Sequence, residues 1–208
     1  MHYPDSLQNF DNGLSLYVPV PELIKPAYEQ LLAQHPGSPF PYWAQVWPSA
    51  KAMVAFLLED PSLIKNKSVL ELGAGIGLPS FSIAPIARRV TVSDYADDAV
   101  ELLGKNIRHT GFDNVKAACI DWNDFPYDTG AEVVLLSDVN YVPGEFEVLL
   151  NLVRKQLDRG ATLILSTPQR ITSTAFIDIV KTHIQKTVLL PVEHGGQLID
   201  IRILVLHL

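Results

Sequence analysis

Cysteine is nearly absent from this sequence of 208 residues, which contains only Cys119. A single cysteine excludes a disulfide bond within the chain and fits a reducing compartment, so we expect a cytoplasmic protein. Cys119 lies within the apolar run of residues 115–120. We therefore interpret it as a core residue and not as a nucleophile.

Long apolar runs and a surplus of basic residues are also missing. No uninterrupted apolar stretch approaches the roughly 20 residues that span a bilayer, and no basic segment leads into an apolar one near residue 1. We therefore expect no membrane span and no signal peptide. The 16 Lys and Arg residues are outnumbered by 23 Asp and Glu residues, which gives a net charge of −7. This acidic balance argues against a nucleic-acid-binding surface and is compatible with a basic partner.

The remaining composition is that of a globular α/β protein, with 48% hydrophobic residues. Short apolar runs alternate with segments of helical periodicity, and this alternation predicts a doubly wound parallel sheet with right-handed crossovers. The predicted parallel strands comprise residues 69–72, 90–94, 115–120, 133–136 and 162–165. Two further runs, residues 187–192 and 198–206, flank a Gly-Gly pair and predict an antiparallel hairpin.

We therefore expect a seven-stranded, mostly parallel, Rossmann-like sheet that ends in this C-terminal antiparallel hairpin. The sheet domain should occupy residues 41–208. Residues 1–40, which include a predicted short strand at residues 14–18, should form an N-terminal extension that packs on the domain.

Helical spacing predicts further helices at residues 22–34, 77–88 and 175–184. Pro26 is expected in the first turn of the first helix, the only turn that tolerates it, and Pro85 should kink or break the second. Ser49 is the expected N-cap of the helix that precedes the glycine-rich segment.

That glycine-rich segment, Glu71-Leu72-Gly73-Ala74-Gly75-Ile76-Gly77, is the most informative part of the chain. A strand, a glycine loop and a helix in this order bring bare backbone and a helix N-terminus close to a ligand. Leu78 stands where a dinucleotide fingerprint has its third glycine, and no phosphate-binding lysine follows. Asp94, 21 residues after Gly73, ends the second strand, where a carboxylate can accept both hydroxyls of a ribose.

Two more polar clusters follow predicted strands. Asp121-Trp122 comes after the third strand, and Ser137-Asp138-Val139-Asn140-Tyr141 comes after the fourth. Because the carboxyl ends of parallel strands meet at one edge of a sheet, these clusters should share a cleft with the glycine loop. The carboxylate and indole suit an adenine, although a polar turn with an anchoring tryptophan is an equal alternative for Asp121 alone. A helix-capping turn is the alternative for the second.

Together with Asp94, the glycine loop resembles that of the seven-strand methyltransferases that use S-adenosylmethionine (SAM). With Trp47, Asp121-Trp122 and Asp138-x-x-Tyr141 added, residues 40–208 are similar to the protein lysine methyltransferases that carry a D-x-x-Y signature. The segment of residues 41–48 looks closest to the branch that modifies the electron-transfer flavoprotein β-subunit, and to its bacterial relatives.

The resemblance implies SAM as cofactor, no metal, and a protein partner that presents a lysine. That partner would be the flavoprotein β-subunit, a ribosomal protein or a chaperone, without a membrane or nucleic acid. Asp138 and Tyr141 would hold the lysine, Asp138 as a hydrogen-bond acceptor, since a carboxylate raises the pKa of a nearby amine and opposes its deprotonation. The residues implied for cofactor binding are Trp47, Glu71, Gly73, Gly75, Gly77, Asp94, Asp121, Trp122 and Ser137.

Three alternatives remain at this stage. A small-molecule amine methyltransferase would share the fold and cofactor. A non-catalytic SAM-binding module would not need the Asp138 and Tyr141 pair, which argues against it. A dehydrogenase is disfavoured by Leu78 and by the lack of an evident histidine for hydride transfer.

Overall fold

The computed structural model describes residues 3–125 and 129–208, apart from the side chains of residues 171 and 172. It contains a two-stranded ribbon and a seven-stranded sheet. The ribbon consists of β1 (Asp5–Asn9) and β2 (Ser15–Pro19). The strands of the main sheet are β3 (Ser68–Leu72), β4 (Arg89–Asp94), β5 (Val115–Cys119), β6 (Val133–Ser137), β7 (Thr162–Pro168), β8 (Ile184–His194) and β9 (Gln197–Leu206).

The main sheet has the strand order β5-β4-β3-β6-β7-β9-β8. The first five strands in this order are parallel, whereas β9 runs antiparallel to both β7 and β8. The hairpin turns at Gly195 and Gly196, which both have positive φ angles. The predicted seven-stranded sheet with a closing hairpin is therefore confirmed.

Helices cover both faces of the sheet because neighbouring strand residues point in opposite directions. In β3, Val69 belongs to one buried cluster, and Leu70 and Leu72 belong to the other. The helices are α1 (Pro21–Gln34), α2 (Pro48–Glu59), α3 (Leu78–Ile83), α4 (Asp97–Thr110), α5 (Phe146–Asp158) and α6 (Ile171–Val180). Helices α2, α3 and α4 contribute to the first cluster, α5 and α6 to the second. Within the described ranges no helix is both long and apolar enough to cross a membrane.

Several helix ends differ from the prediction. Helix α1 begins at Pro21, so Pro26 lies in its second turn and not in its first. Helix α2 begins at Pro48 with Trp47 as its N-cap, which places Ser49 inside the helix, fully buried. Proline suits the first helical position because its fixed φ angle is already helical. Helix α6 ends at Val180 and continues only as a short 3₁₀ turn, whereas residues 175–184 were predicted.

Cys119 is exposed, so its interpretation as a core residue is wrong. It is the last residue of β5, which lies at the edge of the sheet and has a neighbouring strand on one side only. Its Sγ lies 3.6 Å from the carbonyl oxygen of Tyr95. An apolar run in an edge strand therefore does not guarantee that each of its residues is covered.

The N-terminal ribbon packs on α4. Asn106 accepts a hydrogen bond from the backbone N–H of Tyr17 at 2.7 Å and donates one to the Tyr17 carbonyl at 3.1 Å. Leu16 and Val18 are buried in the first core cluster. The division of the chain at residue 40 stays a prediction. These contacts show where the N-terminal extension packs on the domain.

Candidate functional site

A cavity of about 540 Å³ opens at the carboxyl edge of the parallel strands. This volume lies within the range of small-molecule and cofactor sites. All predicted site residues except Glu71 and Gly77 line it: Trp47, Gly73, Gly75, Asp94, Asp121, Trp122, Ser137, Asp138 and Tyr141. The strand-end clusters therefore meet in one cleft, as the doubly wound topology requires.

The glycine loop needs its glycines for two different reasons. At Gly73 a Cβ atom would lie 3.2 Å from Val139 Cγ1 and 3.4 Å from the Trp122 ring, inside the cavity wall. At Gly77, whose φ angle is 80°, a Cβ would lie 2.7 Å from Leu103 Cδ2 in the core beneath the loop. Gly73 thus keeps the cavity open, whereas Gly77 lets the loop pack on α4.

Asp94 ties the glycine loop to the start of α4. Its Oδ2 accepts the backbone N–H of Gly75 at 2.9 Å, and its Oδ1 accepts that of Ala96 at 3.0 Å. Burial raises the pKa of Asp94, and these backbone hydrogen bonds oppose the rise. Because each carboxylate oxygen has two acceptor positions, Asp94 retains acceptor capacity for a ribose hydroxyl.

Glu71 lies beneath the loop, fully buried and outside the cavity lining. Its Oε2 accepts the backbone N–H of Ser80 at 3.0 Å, in the first turn of α3. Among the described residues, its Oε1 has no hydrogen-bond partner. Burial raises the pKa of Glu71 to about 7. Glu71 therefore contacts the N-terminus of α3. The predicted role of Glu71 at the methionine end of a cofactor stays a prediction.

Aromatic side chains border the part of the cavity next to Asp94. Trp122 is half-buried, and Asp121 beside it accepts the backbone N–H of Asn123 at 2.8 Å. This contact matches the polar turn considered as an alternative for Asp121, although Asp121 also lines the cavity. Tyr95 lines it too and is 61% exposed, a residue that the sequence analysis missed. The sequence did contain a signal for Tyr95, since it is an aromatic residue directly after the carboxylate that ends the strand.

Asp138 is paired with an arginine that the sequence analysis also missed. Arg170 donates from Nη1 to Asp138 Oδ1 at 2.9 Å and from Nη2 to Oδ2 at 3.1 Å. Burial raises the pKa of Asp138, while the Arg170 cation lowers it. Asp138 also has a φ angle of 55°, in the left-handed region. Such conformations in residues other than glycine are costly and occur often at functional sites.

The mouth of the cavity beside Asp138 is aromatic. The ring centroids of Tyr42 and Tyr141 are 6.1 Å apart, and those of Tyr42 and Trp47 are 6.3 Å apart. Trp47 donates its Nε1–H to the Tyr42 carbonyl at 2.8 Å, which holds the indole at the rim. Tyr42 and Tyr141 are 52% and 40% exposed, so much of this rim faces solvent.

A family model described as "Lysine methyltransferase" matches residues 42–183. The chain belongs to this lysine methyltransferase family. It is 26% identical over 174 residues to "Protein N-terminal and lysine N-methyltransferase EFM7" of Cryptococcus neoformans, with 76% of this chain and 56% of the relative covered. It is 28% identical over 118 residues to "Histone-arginine methyltransferase METTL23" of Rattus norvegicus, with 54% of this chain and 52% of the relative covered.

The chain thus spans about half the length of these curated relatives. Among solved structures, N-methyltransferase NodS from Bradyrhizobium japonicum superposes with a TM-score of 0.61 at 15% identity, covering 77% of this chain and 98% of NodS. At that identity the likeness shows the fold alone. The finer resemblance to the flavoprotein β-subunit branch stays a prediction.

Membership in a methyltransferase family implies SAM as the cofactor, and the cavity fits it. Gly73 leaves room for a ligand, because a Cβ at this position would contact the cavity wall. The Asp94 carboxylate lies at the strand end beside Tyr95, with the Trp122 indole in the same lining. These groups match a ribose and a purine base, which require hydrogen-bond acceptors and flat apolar surfaces, respectively.

Proposed function

We propose that the protein transfers a methyl group from SAM to the side-chain amine of a lysine in a protein substrate. The observation that carries the proposal is one cavity in which the Asp94 and glycine-loop pocket adjoins the buried Asp138 and the half-exposed Tyr141. The glycine loop follows β3 and Asp138 follows β6, which are neighbouring parallel strands, and this proximity suits a direct transfer between two bound molecules.

The proposed roles follow from the contacts of each side chain. Asp94 would bind the ribose, and Trp122 with Tyr95 would flank the adenine. Trp47 and Ser137 would border the cofactor. Bound SAM supplies an electrophilic methyl group on a sulfonium. Asp138 and Tyr141 would orient the lysine amine in line with that methyl group, while the aromatic rim excludes water.

The transfer needs an uncharged amine. The lysine would first lose its proton to water, and Asp138 and Tyr141 would then hold the neutral amine so that its lone pair could take the methyl group as the S–C electron pair returned to sulfur. A free lysine has a pKa near 10.4, so roughly one in a few thousand is neutral at pH 7. Activity should therefore rise toward alkaline pH.

Exposed apolar side chains at the mouth support a protein substrate over a free small amine. Tyr42, Tyr141 and Val142 are all exposed beside the opening. Aromatic residues are enriched where proteins bind one another, and a rim of this kind can hold a polypeptide while its lysine enters. We propose the flavoprotein β-subunit first, then ribosomal proteins and chaperones, as acceptors to test.

The experiment is methyl transfer from labelled SAM to host-lysate proteins and to these purified candidates, with the labelled residue identified by mass spectrometry. Wild-type protein should label a lysine, and Asp138→Asn should lower transfer at least about 100-fold while its affinity for S-adenosylhomocysteine stays within about threefold. The conservative Asn is the better substitution because Asn tolerates the left-handed backbone of Asp138, whereas Ala does not. Label found only on metabolites, or full activity of Asp138→Asn, would contradict the proposal.

A further inference from the structure

The Asp138–Arg170 pair combines a buried carboxylate with a half-exposed cation. The side chain of Asp138 is 8% exposed, and that of Arg170 is 41% exposed. Two parallel hydrogen bonds of 2.9 and 3.1 Å join them, and both residues line the cavity. A bidentate guanidinium uses one acceptor position on each carboxylate oxygen and leaves another on each. Asp138 can therefore accept a hydrogen bond from a substrate while Arg170 stays in place.

The two residues extend from neighbouring strands, which fixes their distance. Ser137 and Ser166 pair across β6 and β7, and Asp138 donates its backbone N–H to the Ser166 carbonyl at 2.8 Å. Arg170 follows β7 and precedes the first residue of α6, with its backbone N–H donated to the Pro168 carbonyl at 2.9 Å. The ion pair is thus supported by backbone hydrogen bonds on both partners.

The charges around the cavity determine whether a bound amine keeps its proton. Among the described lining residues, Arg170 is the one cationic side chain; the other ionisable groups are Tyr42, Asp94, Tyr95, Asp121, Asp138, Tyr141 and Glu145. A carboxylate near a bound amine stabilises its protonated form, which cannot attack a methyl group. A buried carboxylate also requires a compensating positive charge. In this structure Arg170 supplies it; without Arg170, a bound substrate amine would supply it by keeping its proton.

We propose that Arg170 is a positioning residue that neutralises Asp138, so that the pair orients an uncharged lysine amine without holding the ammonium form. This inference rests on the proposed lysine methyl transfer. Arg170 would then have two effects on the substrate. It would weaken binding of the protonated lysine, and it would make loss of the proton from the bound lysine easier.

The first test is the pH dependence of kcat, which reports ionisations in the bound complex. In Arg170→Gln the acid limb of kcat should move to higher pH by roughly 1–3 units, the usual effect of an uncompensated carboxylate. Below the limb, kcat should fall about tenfold per unit and should recover at alkaline pH. Arg170→Lys, which keeps the charge, should retain the wild-type limb. Arg154→Gln, on the exposed side of α5 and outside the cavity, is the matched control.

The second test measures binding without turnover. Calorimetry at pH 7 in saturating S-adenosylhomocysteine compares a peptide containing the labelled lysine with the same peptide carrying norleucine. Arg170→Gln should bind the lysine peptide about tenfold more tightly than wild type and the norleucine peptide equally. In the Asp138→Asn/Arg170→Gln double variant, which has no carboxylate to compensate, the tighter binding should disappear.

Several results would overturn the inference. An unmoved acid limb, a loss of kcat that is equal at every pH, or unchanged peptide affinity in folded Arg170→Gln would each exclude the neutralising role. If the Gln variant does not fold, Arg170→Met, with an apolar side chain of similar length, carries the same expectations. If the wild-type protein labels no lysine at all, both the proposed function and this inference fail. If the wild-type protein labels a lysine and Arg170→Gln behaves like wild type, the proposed function stands and only the role of Arg170 is excluded.

Discussion

At the scale of single residues, Asp94 serves the fold and the proposed cofactor site together. Both of its oxygens accept backbone N–H groups, from Gly75 and Ala96. In Asp94→Asn, one of those N–H groups would face an amide NH₂ and lose its acceptor. We therefore expect affinity for S-adenosylhomocysteine to fall by roughly 1–2 kcal/mol, because the amide NH₂ cannot accept one of the two ribose hydroxyls and the retained oxygen carries no charge. The melting temperature should fall as well.

Calorimetry and thermal unfolding check this expectation together. Asp113→Asn, at an exposed position outside the cavity, is the control and should change neither quantity. A folded Asp94→Asn protein that binds S-adenosylhomocysteine as tightly as wild type would show that Asp94 acts only on the loop.

The sequence could indicate Asp94 and Asp138 because each lies at the carboxyl end of a predicted strand, and Asp94 also has a characteristic spacing from the glycine loop. It could not indicate Arg170. The pairing of Arg170 with Asp138 depends on β6 and β7 being neighbours and on the left-handed turn at Asp138, across 32 residues of chain. Likewise, the burial of Glu71 beneath the loop depends on how α3 packs, which local spacing does not define.

At the scale of secondary-structure elements, Gly77 joins the loop to α3. Its φ angle of 80° is unfavourable for alanine, and a Cβ would lie 3.0 Å or less from Leu103, Phe81 and Val92. Gly77→Ala should therefore cost roughly 1–3 kcal/mol of unfolding free energy, from strain and overpacking. Gly104→Ala is the matched control, because Gly104 lies inside α4 with only the end of Arg108 near its would-be Cβ.

Urea unfolding of both variants measures the difference. Gly104→Ala should be neutral or stabilising by up to about 1 kcal/mol, since alanine favours a helix interior. Equal effects of the two substitutions would mean that the loop can shift to accept a side chain, and that the packing beneath Gly77 is not rigid.

The elements themselves were largely predictable, because buried parallel strands are short apolar runs and α4 and α5 have clear apolar stripes. Their ends were less so. The N-terminus of α2 is set by Pro48 and not by Ser49, although both residues suit a helix start. Strand β1 was not predicted, since most of its side chains are exposed and show no apolar alternation. Its partner is β2, and contacts with α4 hold the ribbon in place.

At the scale of the whole molecule, Glu71 links the stability of the fold to pH. Burial raises its pKa from 4.5 to about 7, against the hydrogen bond from Ser80, and Asp94 adds a small further rise. The folded state therefore holds this proton more tightly than the unfolded chain does. Between about pH 4.5 and 7 the unfolded chain loses the proton first, so unfolding free energy should fall as pH rises, by on the order of 3 kcal/mol in total.

Glu71→Gln should remove this part of the pH dependence, because Gln can still accept the Ser80 N–H but carries no ionisable group. Urea unfolding at pH 5, 6, 7 and 8 gives the wild-type and variant curves. Their difference isolates Glu71 from Asp94 and Asp138, whose raised pKa values act in the same direction in both proteins. The variant should gain stability over wild type mainly between pH 5 and 7, whereas Glu147→Gln, exposed at the start of α5, should not. Parallel curves would mean that Glu71 titrates normally, and that water reaches the carboxylate beneath the glycine loop.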